Sequence, residues 1–168
     1  MVVHPSVYKT TPKVADMEDM TPREIDQFLT CARVGRIGMS LDEGPYVVPV
    51  GYAYSGGKIF FHTCKTGMKM EAIRKNPNVC FEVDEATSDM SLFKSVIIFG
   101  RAEIIEDREG MTPFLQKLID KYRVPVAFEE YMRRPGRDLE GEMRAVRICL
   151  IHPKQITGKK VARKNGNF

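Results

Sequence analysis

The sequence predicts a mainly β (α+β) protein built as a six-stranded antiparallel β-barrel with peripheral helices. Three observations carry this expectation. Short apolar runs with a two-residue period follow one another along the chain, with turn residues between them. Helical spacing appears only between some of these runs, whereas a parallel doubly wound sheet needs a crossover after nearly every strand. The chain has 168 residues, 43% of them hydrophobic, which suits one domain able to bury about two-thirds of its unfolded surface.

Taken in order, residues 1–20 show no sustained period and read as an N-terminal arm lying on the domain or on a partner. A barrel domain then occupies 21–158, and a basic tail occupies 159–168. Thr21-Pro22-Arg23-Glu24 places a capping hydroxyl, a proline at the first helical position and a glutamate where a capping box wants it, so a helix spans about residues 22–33. Ile25, Phe28, Leu29 and Ala32 form its apolar stripe. After Gly35 the period becomes two: Ile37, Met39 and Leu41 alternate with Arg36, Gly38 and Ser40 before the turn Asp42-Glu43-Gly44-Pro45. A second strand is expected over Tyr46–Tyr54, and Ser55-Gly56-Gly57 turns into a third over Lys58–Thr63. Pro49 cannot donate to a ladder, so its nitrogen side should face a bulge, an edge or a ligand. Strands are next expected at Val79–Val83 and Ser95–Ile105, then a helix starting at Thr112-Pro113 with Phe114, Leu115, Leu118 and Ile119 inward. Pro125–Gly141 reads as a short helix and a loop, and Arg144–Ile151 as the last strand, with Val146, Ile148 and Leu150 on one face.

Several function classes are disfavoured by what the sequence contains. No apolar stretch approaches the roughly 20 residues that span a bilayer, and Met1–Met20 lacks a signal-peptide core, so a cytoplasmic protein away from membranes is expected. Cys31, Cys64, Cys80 and Cys149 form no CxxC pair and read as reduced thiols; with only His4, His62 and His152 beside them, no metal site is expected. Net charge is +4. Lys154, Lys159, Lys160, Arg163 and Lys164 follow His152 without an acidic residue, which reads first as a solvated terminus and second as an anion-binding arm that would make the protein a nucleic-acid or polyanion binder. Without alternating aromatics, nucleic-acid binding is not expected.

The stretch that carries chemistry is "FFHTCKTGMKMEAIRKNP", Phe60 to Pro77. Thr63 offers a hydroxyl at a strand end, Gly67 lets the backbone approach closely, and the next helix presents its free N–H groups. Lys65 and Lys69 add ammonium groups on the same side. Such a set suits a phosphate. The alternative is that Thr66 caps the helix and the lysines are merely solvated. Val47–Val50 and Phe60–His62 would flank the phosphate as apolar walls, Ser95 adds a hydroxyl, and Pro49 leaves backbone amides free to meet a flat heteroaromatic ring. A phosphate joined to a flat ring suggests flavin mononucleotide, FMN.

With these residues in view, "GRIGMSLDEGPYVVPVGYAY", "GGKIFFHTCKTGMKMEAIRKNPNVCFEVDE" and "SVIIFGRAEII" together resemble the FMN-binding split-barrel superfamily that includes pyridoxamine 5′-phosphate oxidase, most closely its nitroimidazole-resistance-like branch. The resemblance covers about Pro22 to Gly158. It implies a six-stranded antiparallel split β-barrel, a homodimer with two interfacial sites, and contact of Thr63 and Lys69 with the FMN phosphate. It also implies that Val48, Pro49 and Val50 present backbone to the isoalloxazine ring, that Ser95 falls where the oxidases carry a ring-contacting glutamine, and that His62 stands beside the cofactor. The final strand and Ile156–Lys159 would contribute across the interface. The oxidases carry an arginine directly before the lysine, where this chain has Met68, and a strand arginine that Tyr46–Val50 lacks. Pyridoxamine phosphate oxidation is therefore not expected.

The leading reading is an FMN-dependent oxidoreductase that reduces a small aromatic or electrophilic substrate, nitroreductase-like, with an external electron donor and with His62 as proton donor or substrate orienter. The alternatives are a flavin carrier or sensor without turnover, and a split barrel holding haem or a deazaflavin, with His62 or His152 as a haem ligand. Cys64, beside Lys65 and a helix start, reads first as a small packing residue and second as a reactive thiol.

Overall fold

Thr21 opens the first helix as its sequence predicts. In the computed structural model, which describes residues 17–88, 91–122, 126–136 and 138–162, the Thr21 hydroxyl accepts from the Glu24 amide at 3.3 Å and the Glu24 carboxylate accepts from the Thr21 amide at 2.8 Å. Helix α1, Pro22–Cys31, buries Phe28 and Leu29. The expectations for residues 1–16 and 163–168 lie outside the described residues. Lys159 and Lys160 belong to the last strand, where Lys159 meets Asp19 at 2.7 Å and Lys160 meets Glu24 at 2.6 Å. That hydrogen bond from Lys160, with those from Thr21, lowers the Glu24 pKa to about 2.

The strands are β1 Met17–Asp19, β2 Val34–Leu41, β3 Gly44–Gly51, β4 Ala53–Ser55, β5 Lys58–Cys64, β6 Asn78–Ala86, β7 Leu92–Ile105 and β8 Val146–Ala162. All pair antiparallel in the order β3-β2-β6-β7-β8-β5-β4, with β1 on β8. The strand expected over 46–54 is interrupted at Tyr52. Its amide leaves the ladder for the Arg33 carbonyl (3.3 Å), its hydroxyl donates to the buried Leu29 carbonyl (2.8 Å), and its ring meets Phe81 edge-on at 5.1 Å. Before this corner the chain pairs with β2 and after it with β5, so the two ends of the sheet are one residue apart and the sheet closes into a barrel. Six long strands form the wall; β1 and β4 have three residues each.

Several strands run further than their sequence suggests, among them β6, which covers Asn78–Ala86. β7 starts at Leu92, and β8 continues past Pro153 to Ala162. Proline cannot donate to the ladder, and the register slips there: Phe99 faces Gln155 but Gly100 faces Pro153, leaving Lys154 as the extra residue of a bulge. Helix α3, Arg108–Lys121, begins four residues before the expected Thr112-Pro113, because the Asp107 carboxylate already accepts from the Gly110 amide at 2.7 Å and Met111 is buried. Helices α4, Phe128–Met132, and α5, Leu139–Ala145, complete the segment between β7 and β8; α2, Met68–Lys75, joins β5 to β6.

Two hydrophobic cores result. The barrel interior holds Leu29, Ile37, Tyr52, Ile59, Phe61, Phe81, Val83, Ile98, Cys149 and Ile151. Outside it, Phe60, Ile148 and Leu150 pack against Met111, Leu118, Phe128, Met132 and Met143 of the three helices. No helix among the described residues is long and apolar enough to cross a membrane.

At the bulge, a methyl group on Gly100 would stand 2.6 Å from the His152 carbonyl oxygen and 2.9 Å from Ile151 Cγ2. Two paired backbones cannot yield as a flexible side chain would. Gly100→Ala is expected to cost about 1–3 kcal/mol of unfolding free energy, measured by urea denaturation; an unchanged midpoint would show that the bulge relaxes freely.

Candidate functional site

The two-residue period of β5 sends neighbouring residues to opposite faces. Ile59, Phe61 and Thr63 point toward the barrel core, and Thr63 is only 6% exposed. Phe60 and His62 point toward the helices. Directly across on β8, Thr63 faces Arg147 and His62 faces Ile148, and opposed residues share a face. Thr63 and His62 therefore belong to different surroundings although the chain joins them.

On the Thr63 side, the strand ends in a loop pinned by the Lys65 amide, which donates to the Ala145 carbonyl at 2.9 Å. Gly67 then takes φ 108°, a left-handed value that favours glycine, and stands at the N-cap of α2 with no side-chain hydrogen bond to the helix. Thr66 does not cap it. A Cβ at Gly67 would meet nothing within 4 Å, so the approach to the first-turn amides is open. Lys69 is half-buried with its ammonium 5.3 Å from the Phe61 ring centre; burial lowers its pKa, and Cys149 and Cys64 oppose that shift. The donor set is a hydroxyl, an ammonium and uncapped helix amides, which fits a phosphate monoester.

Arg147 was not singled out from the sequence. The alternation that put Val146, Ile148 and Leu150 on one face of β8 puts Arg147, Cys149 and Ile151 on the other, the barrel side, and that was the available signal. Its side chain is 16% exposed. Nη1 donates to the carbonyls of Arg144 (3.2 Å) and Val146 (2.6 Å), while Nε is buried without a hydrogen bond, 3.5 Å from Glu106 Oε2. Glu106 is held chiefly by a hydrogen bond from Arg74 at 3.1 Å, which lowers its pKa.

On the His62 side lies a cavity of about 320 Å³ between β5, β8 and the three helices. Apolar side chains such as Leu118, Phe128, Met132 and Met143 line it, with His62 and Glu142 among them. His62 reaches solvent there, yet the apolar surroundings push its pKa below the usual imidazole value; Lys69 adds to the shift and Glu142 opposes it.

The remaining expected residues are spread out. Val50 is buried in the core and Val48 half-buried, while Pro49 is exposed on β3, which ends the sheet order, so its missing donor falls on an edge strand. Val47 (59% exposed), Gly38, Cys80 and Phe99 (51% exposed) form one row across the outer face, above a groove of about 480 Å³. Ser95 stands opposite Asp84 and Lys159. Three strand spacings separate its strand from β3, about 14 Å. Lys159 is also twelve residues along β8 from Arg147, the partner of Thr63, about 40 Å of strand. One copy does not bring Ser95 to Thr63. Among the described residues no three His, Cys, Asp or Glu side chains gather as metal ligands, and His152 is engaged with Glu103 at 2.6 Å.

A model of the pyridoxamine 5′-phosphate oxidase family matches residues 21–160 of this chain. An uncharacterised protein of Rhizobium meliloti (strain 1021) is 29% identical over 91 residues, 54% of this chain and 59% of that protein, so the match spans less than two thirds of the relative's length. Among solved structures, a FAD-binding protein from Mesorhizobium loti is 27% identical, with a TM-score of 0.63 over 88% of this chain and 98% of its own. A candidate 5-nitroimidazole antibiotic resistance protein from Bacteroides thetaiotaomicron is 22% identical, with a TM-score of 0.70 over 86% and 88%. The flavocytochrome Anf3 from Azotobacter vinelandii is 18% identical, with a TM-score of 0.70 over 95% and 74%. The last two likenesses concern the fold.

Because the folded-state pKa of His62 is depressed, the unfolded chain binds more protons between the folded value and the ordinary imidazole value of about 6.5. Stability should therefore fall as pH drops through that window. Urea unfolding from about pH 7.5 to about pH 5 is expected to show a smaller acid loss for His62→Gln than for the wild type; parallel pH profiles would remove His62 as the cause.

Proposed function

The chain belongs to the pyridoxamine 5′-phosphate oxidase family, and from that premise we propose that it is an FMN-binding flavoprotein, homodimeric, that reduces a small aromatic or electrophilic substrate with electrons from an external donor. The observation that carries this reading is the open, uncapped start of α2 behind Gly67, with buried Thr63 and half-buried Lys69 beside it. A phosphate monoester there would accept from the first-turn amides and the Thr63 hydroxyl while Lys69 balances its charge. Lys65 adds a second ammonium from the same loop.

Bound flavin would supply two-electron transfer; the chain's part is to hold, orient and shield. The backbone of Val48–Val50 on its edge strand offers a place for a flat ring. The cavity beside His62 is apolar and of the size small ligands use, at the low end of the roughly 300–1,000 Å³ range. With its pKa lowered, His62 is a neutral imidazole at pH 7. It then serves better to orient a substrate or accept a proton at one ring nitrogen than to donate one. Met68, in the place of the oxidases' arginine, argues against pyridoxamine phosphate as substrate. The FAD-binding relative supports a flavin, and the monoester-like donor set favours FMN within that class.

The spacing supports a homodimer. A site that uses both Thr63 and Ser95 needs two copies, with Ser95 and the end of β8 coming from the partner. Exposed Val47, Phe99 and Ile97 on the outer face provide apolar area for that contact.

The test is spectroscopic. Purified protein, or apoprotein given FMN, is expected to show flavin absorption bands, and the Thr63→Ala/Lys69→Ala variant is expected to bind FMN at least about a hundredfold more weakly, since two charge-assisted contacts are lost. A colourless wild type that also ignores added FMN would overturn the flavin reading, and release of FAD from the purified protein would overturn the monoester assignment.

A further inference from the structure

The cavity beside His62 is lined by more than aliphatic side chains. Three aromatic rings come from the helical layer: Tyr122 caps the C-terminal end of α3, and Phe128 and Tyr131 belong to α4. Glu142 of α5 adds a carboxylate. Among the described residues no lysine or arginine lines the space. The Lys121 ammonium, next to Tyr122 in the chain, donates to the Ala32 carbonyl and lies 4.2 Å from the Tyr52 ring centre.

These groups share one electrostatic preference. An aromatic ring carries negative charge on its face and attracts a cation within about 6 Å of its centre. The Tyr131 ring already draws one, the Arg134 guanidinium at 5.0 Å. Tyr122 stands at the negative end of a fourteen-residue helix. The charge of Glu142 is felt as far as His62, whose pKa it raises against the effect of burial. Lys69 acts on the imidazole in the opposite sense from beyond β5, so a cation belongs at the helical wall and away from the strand.

The walls also restrict which cation can enter. A bare metal ion or a primary ammonium would leave a strong hydration shell for surroundings such as Leu118 and Ile119. A nitrogen covered by carbon groups loses less hydration, and its carbon surface suits the same walls.

We propose that this cavity takes a small organic cation, an ammonium clothed in alkyl or aryl groups, held among Tyr122 and Phe128 with Glu142 as its counter-ion. The proposal rests on the reading of the cavity as the substrate's place and gives that substrate a chemical class. It is independent of which flavin is bound.

Choline and the dimethylbutanol in which carbon replaces its nitrogen separate a cation site from a merely apolar pocket, because they share a shape and differ in charge. Each is titrated into the purified full-length protein, and binding is read by NMR from isotope-labelled methyl groups of Met132 and Met143, which line this cavity. Choline is expected to bind at least about fivefold more tightly than the alcohol. Glu142→Gln and Tyr122→Leu should each narrow that preference by about threefold or more, leaving affinity for the alcohol within about twofold. Tyr122→Phe keeps the ring and should preserve the preference. Should Glu142→Gln fail to fold, the two Tyr122 variants carry the test, since that side chain is already partly in solvent. Equal wild-type affinities for the two probes, or a preference untouched by both Glu142→Gln and Tyr122→Leu, would overturn the proposal and leave an apolar substrate cavity. Methyl resonances that respond to neither probe would bring down the cavity as a binding site, whatever the flavin spectrum shows.

Discussion

The alternation of β5, with burial on both faces, is the constraint on which the rest of the structure depends. Ile59 and Phe61 fill the barrel while Phe60 anchors the helical layer outside, so a one-residue slip would exchange two cores at once. Few strands are so tightly specified. The first half of β8 shares the burden, with Cys149 and Ile151 inward and Ile148 and Leu150 outward. Where this doubly buried pair ends, polar residues take over in the same alternation: Thr63 and Arg147 continue the inner face and His62 the outer. The loop between Thr63 and α2 and the His62 cavity lie at the ends of the two cores, placed back to back by the same pleat.

The electrostatics follow from that placement. Burial is the main reason the His62 pKa is depressed, and Lys69, on the other side of the strand, adds to the shift. Glu142 pulls the other way. An anion taken up beside Lys69 would offset that ammonium's field and ease His62 upward, so occupancy on one face is felt by the imidazole on the other. The direction is set by Coulomb's law alone.

How much was legible depended on whether the deciding interaction was local. Thr21, Pro22 and Glu24 announce α1 because the cap is made within four residues. The strand end at Thr63, the glycine at 67 and the helix start before Lys69 were readable for the same reason, since they lie within one short stretch. Two local signals competed at α3, and Asp107 with buried Met111 prevailed over Thr112-Pro113. Tyr52 could not be read as a corner, because its hydroxyl and amide partners, Leu29 and Arg33, lie about twenty residues away in sequence. Pro153 reads as the end of a strand, and only the long pairing with β7 carries β8 through the bulge beyond it. Arg147 was hidden differently: its parity was visible, but its neighbour Thr63 is known only once β5 and β8 are seen to pair.

β8 also relates the two halves of the site. It starts beside Thr63 at Arg147 and ends on the outer face at Lys159, next to Ser95, and it is too long for both ends to serve one ligand. In the proposed homodimer, each β8 would begin at its own copy's proposed phosphate site and finish at its partner's proposed ring site. The ion pairs of Lys159 with Asp19 and Lys160 with Glu24 tether β1 and α1 to the far end of β8 and so hold its pairing there.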